Sequence, residues 1–290
     1  MTKVAFDEGI YFIREGQGRE GLFLFSENGS YLRQVRPAPE GANPFASIDD
    51  FSLDEANNRI YLLSNRSRRI GVLDYQLRLL DTIALSIAAD AIAFVEDRLI
   101  LTSPNEPEVV AILDLEGRIL HRLFPDGVFG RLKHFMPLDR NGNFVLFHHW
   151  QENNIYKITP DGSTELYFSL SFNQETPPGR SPIASVNKVG KHLILSAKGK
   201  HIPMSIVVSN LTSGETLRLN KINNDISLNK NLVLPVIGKH NDQLITYMPS
   251  EYLLQQAEQV KSNEINKPLG QVLHQLDIAS NPVLVLMELR

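Results

Sequence analysis

The chain has 290 residues, 42% hydrophobic and 21% charged, with a net charge of −4 and no cysteine. That balance offers no basic field for nucleic acid and excludes disulfides, thiol nucleophiles and thiolate metal sites. No stretch is apolar enough to span a bilayer, so no membrane span is expected.

In chain order, short β-prone runs recur at a spacing of about 40 to 50 residues, the mark of a radial β-repeat array. The first group is 4–6, 10–13, 22–25 and 31–35. The second is the clearest: 48–54, a turn at 55–58 whose Asn57 and Asn58 suit the left-handed region, then 59–64, 70–74 and 77–83. The same order, strands a to d, continues at 89–94, 98–102, 109–113 and 119–124. It repeats at 133–138, 144–148, 155–158 and 165–169, and again at 183–189, 192–196, 205–208 and 216–219. A sixth group begins with 232–237 and 243–248. It is interrupted at 250–260, where a Ser cap and the spacing of Tyr252, Leu253, Ala257 and Val260 predict a helix. The chain ends in a β-prone run at 283–289.

Six groups of four antiparallel strands predict an all-β fold, a six-bladed β-propeller, with a short helical insertion in the last blade over about 250–277. Because each blade needs its neighbours to bury its faces, one domain over 1–290 is expected. A β-sandwich also has short strands and turns, but it does not explain the repeated four-strand order.

The chain also resembles the six-bladed propeller proteins of gut bacteria related to NHL-repeat proteins. The resemblance rests on Ile48-Asp-Asp-Phe-Ser-Leu-Asp-Glu-Ala-Asn-Asn-Arg-Ile-Tyr-Leu-Leu-Ser64, on the Asn-Gly, Glu-Gly and Asp-Gly hairpins, and on Ser280-Asn-Pro-Val-Leu-Val-Leu286. It implies a scaffold, a periplasmic or cell-surface location, and an export or lipoprotein signal ahead of Met1. The sequence as given enters a strand pattern at Lys3-Val-Ala-Phe6 with no apolar leader. It also implies an N-terminal strand closing the last blade. Since the chain starts after that strand, the last blade is expected to carry three strands. Its open edge would then invite a dimer or be covered by the insertion.

In a meander the a–b and c–d turns share one end, and the b–c and d–a loops share the other. The first set is tight (7–9, 27–29, 55–58, 96–97, 139–142, 161–162) and the second is long (36–47, 64–69, 102–108, 124–132, 148–154, 170–182, 196–204). Long loops on a rigid scaffold are where binding sites sit, so the long-loop face or the adjoining channel mouth is the expected site.

Three candidates lie there. Trp150, the single Trp, offers a stacking platform, with His148, His149 and His134 nearby; adjacent strand residues diverge, so the His pair is a poor chelate. Asp49, Asp50 and Asp90 on inner strands have oxygens that suit a divalent cation such as Ca2+ in the central channel, as resemblance to propeller lactonases implies. The alternative is that they cap turns and hydrogen-bond the neighbouring inner strand. Arg66, Arg68 and Arg69 could hold a phosphate or a carboxylated glycan, or pair with Glu106 and Glu108 in the equivalent loop of the next blade. No Gly-x-Ser-x-Gly, His-Glu-x-x-His or P-loop occurs. The expectation is a non-catalytic binding propeller for a glycan or protein. The alternative is a metal-dependent hydrolase or lyase at the channel mouth.

Overall fold

Alternation along the strands sets which neighbour each side chain meets. The computed structural model describes residues 3–16, 20–38, 45–103, 107–125, 138–148, 153–170, 183–197, 205–219, 236–259, 273 and 283–288. The chain divides into two units, Met1–Val186 and Asn187–Arg290, with the division inside one strand. Each unit is described by itself.

The first unit holds four antiparallel meanders, each with its strands in sequence order. They are β1 (Lys3–Asp7), β2 (Ile10–Glu15), β3 (Gly21–Ser26) and β4 (Tyr31–Val35), then β5 (Asp50–Asp54), β6 (Arg59–Ser64), β7 (Arg69–Asp74) and β8 (Leu79–Ala84). Next come β9 (Ala91–Val95), β10 (Arg98–Thr102), β11 (Glu108–Leu113) and β12 (Ile119–Pro125), then β13 (Leu138–Asn141), β14 (Phe144–His148), β15 (Asn154–Ile158) and β16 (Thr164–Ser169).

Successive side chains on a strand point to opposite faces, and here the two faces serve two different neighbours. In the second meander Phe51, Ile60 and Leu62 pack against Phe12, Leu22 and Leu24 of the first. The intervening Tyr61 and Leu63 join Ile92, Phe94, Leu99 and Leu101 of the third. The Tyr61 and Phe94 rings stack with centroids 4.8 Å apart. Ala93, Ile100 and Ile112 then meet Val145 and Phe147 of the fourth. Strands buried on both faces read as near-continuous apolar runs, which is why β9, β10 and β11 are so hydrophobic. Burying one such side chain contributes about 1.5–3 kcal/mol, so each interface is held by many small terms. The outermost strands face solvent and leave Leu79, Leu80, Leu120 and Leu166 exposed.

The c–d turns of the second and third meanders repeat one device. Asp74 accepts hydrogen bonds from the Gln76 and Arg78 amides, at 2.9 and 2.8 Å. Asp114 accepts them from the Glu116 and Arg118 amides, at 3.1 and 2.8 Å. In each case the following Arg returns its Nε to the same carboxylate. These carboxyls titrate below the ordinary aspartate value: partial burial works against ionisation, and the hydrogen bonds and charge of Arg78 and Arg118 outweigh it. Two of the turn glycines seat on the meander before. A Cβ on Gly117 (φ 82°) would lie 2.7 Å from the Ala84 carbonyl oxygen of β8, and one on Gly162 (φ 87°) 2.7 Å from the His121 ring of β12.

The second unit holds β17 (Ile183–Val189, which carries the division), β18 (His192–Ala197), β19 (Ser205–Asn210) and β20 (Thr216–Leu219) in that order. A three-stranded meander follows among the described residues: β21 (Gly238–His240), β22 (Gln243–Met248) and β23 (Val283–Glu288), with helix α1 (Ser250–Gln259) between the last two. Val189, Ile194 and Ile206 pack with Val236 and Leu244. Leu253 of α1 is buried against Met248 and Val285, so the helix covers part of its own blade.

Two strands run on past the bounds that the sequence sets for them. A strand is expected at 133–138 with a turn at 139–142, but Asp139 and Asn141 stand in the ladder opposite Leu146 and Phe144. A strand is expected at 232–237, but the ladder runs Gly238↔Ile245 to His240↔Gln243. Residues 133–137 and 232–235 lie outside the described residues. Both differences have one cause: a two-residue hairpin uses only Gly142–Asn143 or Asn241–Asp242, leaving the flanking polar residues to pair.

Candidate functional site at the long-loop end of the first unit

Strand order puts the starts of β1, β5 and β9, the end of β6 and the β6–β7 turn at the same end of the first unit. Lys3 stands at the start of the first inner strand and Asp50 at the start of the second. The Lys3 ammonium lies 2.9 Å from Asp50 Oδ1 and donates to Oδ2 at 3.1 Å and to the Phe51 carbonyl at 2.7 Å. Asp50 Oδ2 also accepts from the Ile92 amide of β9 at 2.9 Å. One buried carboxylate thus ties together the inner strands of three meanders. Oδ1 has the charge contact and no directed hydrogen bond. Beside it, Ser52 Oγ accepts from the Phe94 amide at 2.9 Å.

Asp49 faces the other way and organises the β6–β7 turn. Its Oδ2 accepts from Ser47 Oγ at 2.5 Å and from the Asn65 amide at 2.7 Å. Ser47 Oγ accepts from the Arg66 amide at 3.1 Å, and Ser67 Oγ donates to Ser64 Oγ at 2.6 Å. The Arg68 amide donates to the Asn65 carbonyl at 3.0 Å, and the Arg68 carbonyl accepts from the Leu85 amide at 2.9 Å. Asn65 Oδ1 accepts from the Ala89 amide at 3.2 Å, and its Nδ2 donates to Asp90 Oδ1 at 3.4 Å. The turn is therefore fastened to the connector on either side of it.

Arg66, Arg68 and Arg69 project from this fixed backbone and are exposed. The expected pairing with Glu108 is not what is found. Glu108 pairs with Arg122, at 3.4 Å, on the adjacent strand of its own meander. Cross-strand proximity within a blade outranks proximity to the next. Glu106 lies outside the described residues. Among the described residues, none of the three guanidinium groups forms an ion pair.

His148 is buried at the end of β14. His149, Trp150 and His134 lie outside the described residues. Among the described residues no group of three or more His, Asp or Glu side chains is gathered as a metal centre needs. A calcium cage takes about six oxygens. Both oxygens of Asp50 face the Lys3 ammonium instead, and Asp49 Oδ2 is taken by a hydroxyl and an amide. As arranged, these residues do not fit a Ca2+ ion. The role of Lys3 was missed in the sequence; the available signal was a lone cation heading the first inner strand where the next has an acid.

Successive four-stranded meanders, each giving alternate side chains to the meander before and the one after, define a β-propeller. The family model described as 6-bladed beta-propeller matches residues 1–197, and the chain belongs to that family. No curated protein matches it. Among solved structures, the Bacteroides fragilis "Putative exported protein" is similar with a TM-score of 0.80 at 13% identity, over 98% of this chain and 88% of that one. Virginiamycin B lyase from Staphylococcus aureus is similar with a TM-score of 0.54 at 15% identity, over 84% and 76%. A Bacteroides caccae protein of unknown function is similar at 0.51 and 14%, over 82% of each chain. At these identities the likeness is one of fold. No helix among the described residues is long and apolar enough to cross a membrane.

Proposed function

We propose that the chain is a non-catalytic binding module that recognises a glycan or protein ligand on its long-loop face. The observation that supports this is the β6–β7 turn: a backbone fixed from both sides that carries three exposed arginines without ion-pair partners among the described residues. Preorganised polar groups lower the ordering cost of binding. The acids that a hydrolase or lyase reading would use are engaged in holding strands and turns. The likeness to a lyase is a likeness of fold at 15% identity, and fold does not carry function.

The test is a glycan and protein array probed with the whole chain, repeated with Trp150→Ala and Arg68→Ala. Binding that both variants leave untouched would remove the reading. Turnover of an arrayed substrate that Asp50→Ala abolishes without unfolding the chain would replace it with the enzymatic one. An extracytoplasmic location goes with this reading, supported by the likeness to the Bacteroides fragilis protein, and cell fractionation tests it. The outer strand β23, with Leu286 exposed, is the edge where a second copy would pair. Equilibrium sedimentation showing a monomer at micromolar concentration would dismiss that dimer.

A further inference from the structure

We infer that the turn carrying Arg66, Arg68 and Arg69 is the binding site for an acidic saccharide, gripping its carboxylate, sulfate or phosphate oxygens. The inference rests on the binding reading above and names its ligand class. Several other described arginines of the first unit are spent on the protein itself. Arg78 and Arg118 pair with Asp74 and Asp114, and Arg122 with Glu108. Arg14 donates to the Ile48 carbonyl, at 3.1 Å, and Arg140 to the Leu53 carbonyl, at 2.8 Å. Three like charges within four positions repel one another, and the repulsion is relieved when an anion enters. The guanidinium fork matches planar carboxylate and tetrahedral oxyanions in bidentate fashion.

The backbone cannot turn these arginines away without losing the Asp49, Ser47 and Leu85 hydrogen bonds. The turn is also polar throughout. Leu63, Ile70 and Leu85 are buried, while Asn65 and Ser67 reach the surface among the arginines. The exposed Leu79 and Leu80 lie at the far end of β8. Protein interfaces combine arginine with aromatic and apolar anchors packed in desolvated pockets, and this turn has the arginines without the aromatic or apolar anchors. A hydroxylated, charged chain suits it.

The experiment uses the whole chain and three probes: trigalacturonate for carboxylate, a sulfated disaccharide for sulfate, and neutral maltotriose. Binding is measured calorimetrically at low and high salt. At least one acidic probe should bind, more weakly as salt screens the charges. The combined Arg66→Ala, Arg68→Ala and Arg69→Ala variant should lose about tenfold or more in affinity, and the matching lysine variant should recover only part of it because bidentate geometry is lost. Arg78→Ala at the opposite end should bind like the wild type. A thermal unfolding midpoint near that of the wild type shows the alanine variant folded.

Unchanged affinity in the alanine variant overturns the proposal, as does a hexaglutamate peptide binding as tightly as the acidic probes. Neutral glycan binding with no acidic saccharide bound overturns it while leaving the binding reading standing. Absence of any ligand on saccharide and protein arrays removes both.

Discussion

The two ends of the first unit use charge in opposite ways. At the tight-turn end carboxylate and guanidinium meet each other: Asp74 with Arg78, Asp114 with Arg118, Glu55 with Arg140. Tyr75 there donates to Asp7 Oδ2 at 2.5 Å. At the long-loop end Glu108 still pairs with Arg122, but Asp49 and Asp50 are held by backbone amides, a hydroxyl and one lysine, and three arginines are left facing solvent. One end closes its electrostatics internally; the other keeps cations in reserve. Both rest on the same strand scaffold, so the difference reflects loop sequence, not fold.

The comparison is broken most forcefully at Asp50. Asp50→Ala leaves a half-buried ammonium without its carboxylate and the Ile92 amide without its acceptor. Removing one partner of a buried pair costs about 3–5 kcal/mol, and with Lys3 partly exposed the lower figure applies. At about 2 °C per kcal/mol for a chain of this size, the melting temperature should fall by roughly 6 °C. A fall of less than about 1 °C would mean that the three inner strands do not depend on this carboxylate.

Next comes Gly117→Ala, which places a side chain in the left-handed region and against the Ala84 carbonyl. Backbone strain alone costs about 1–2 kcal/mol, to be read by urea unfolding. A neutral result would show that the turn can lift off its neighbour.

Tyr75→Phe sharpens the contrast through pH. Burial, then the hydrogen bond and charge of Asp7, push the Tyr75 phenol above its ordinary value of 10.0. The folded chain holds this proton more tightly than the unfolded chain. The stability from that hydrogen bond is therefore complete below pH 10.0 and declines as pH rises beyond it. Tyr75→Phe should cost about 1 kcal/mol at neutral pH and should flatten the alkaline part of the stability curve. A curve identical to the wild type would show that the pair contributes nothing.

The smallest effects separate the two ends most cleanly. Arg78→Ala removes a surface pair and should cost about 0–1 kcal/mol. Arg68→Ala should cost nothing or stabilise slightly, since it only relieves repulsion between neighbouring cations. If Arg68→Ala destabilises as much as Arg78→Ala, the arginine turn is structural and not held in reserve.

Much of the fold was legible because β-strand alternation and two-residue turns are local. The runs at 98–102, 144–148, 183–189, 216–219 and 243–248 are the strands β10, β14, β17, β20 and β22. The turn-side ends of β13 and β21 were not legible: Asp139, Arg140 and His240 are polar, and polarity beside a turn does not distinguish loop from ladder. Of the candidate site, its end of the blades was legible and most of its contacts were not. Strand order assigns the long-loop end, and Asp50 does hydrogen-bond the neighbouring inner strand. That Lys3 would reach it across 47 positions of sequence leaves no local trace. Nor does the choice of Glu108 between Arg122 and the β6–β7 turn, which depends on strand register.

The glycines at 117 and 162 each press their turn onto the outer strand of the meander made just before. Such seating has a direction. A blade leaving the ribosome finds its berth already built on the N-terminal side, while the partner on its other side does not yet exist. The array can therefore grow during synthesis as a column of bricks is laid, each course resting on the last.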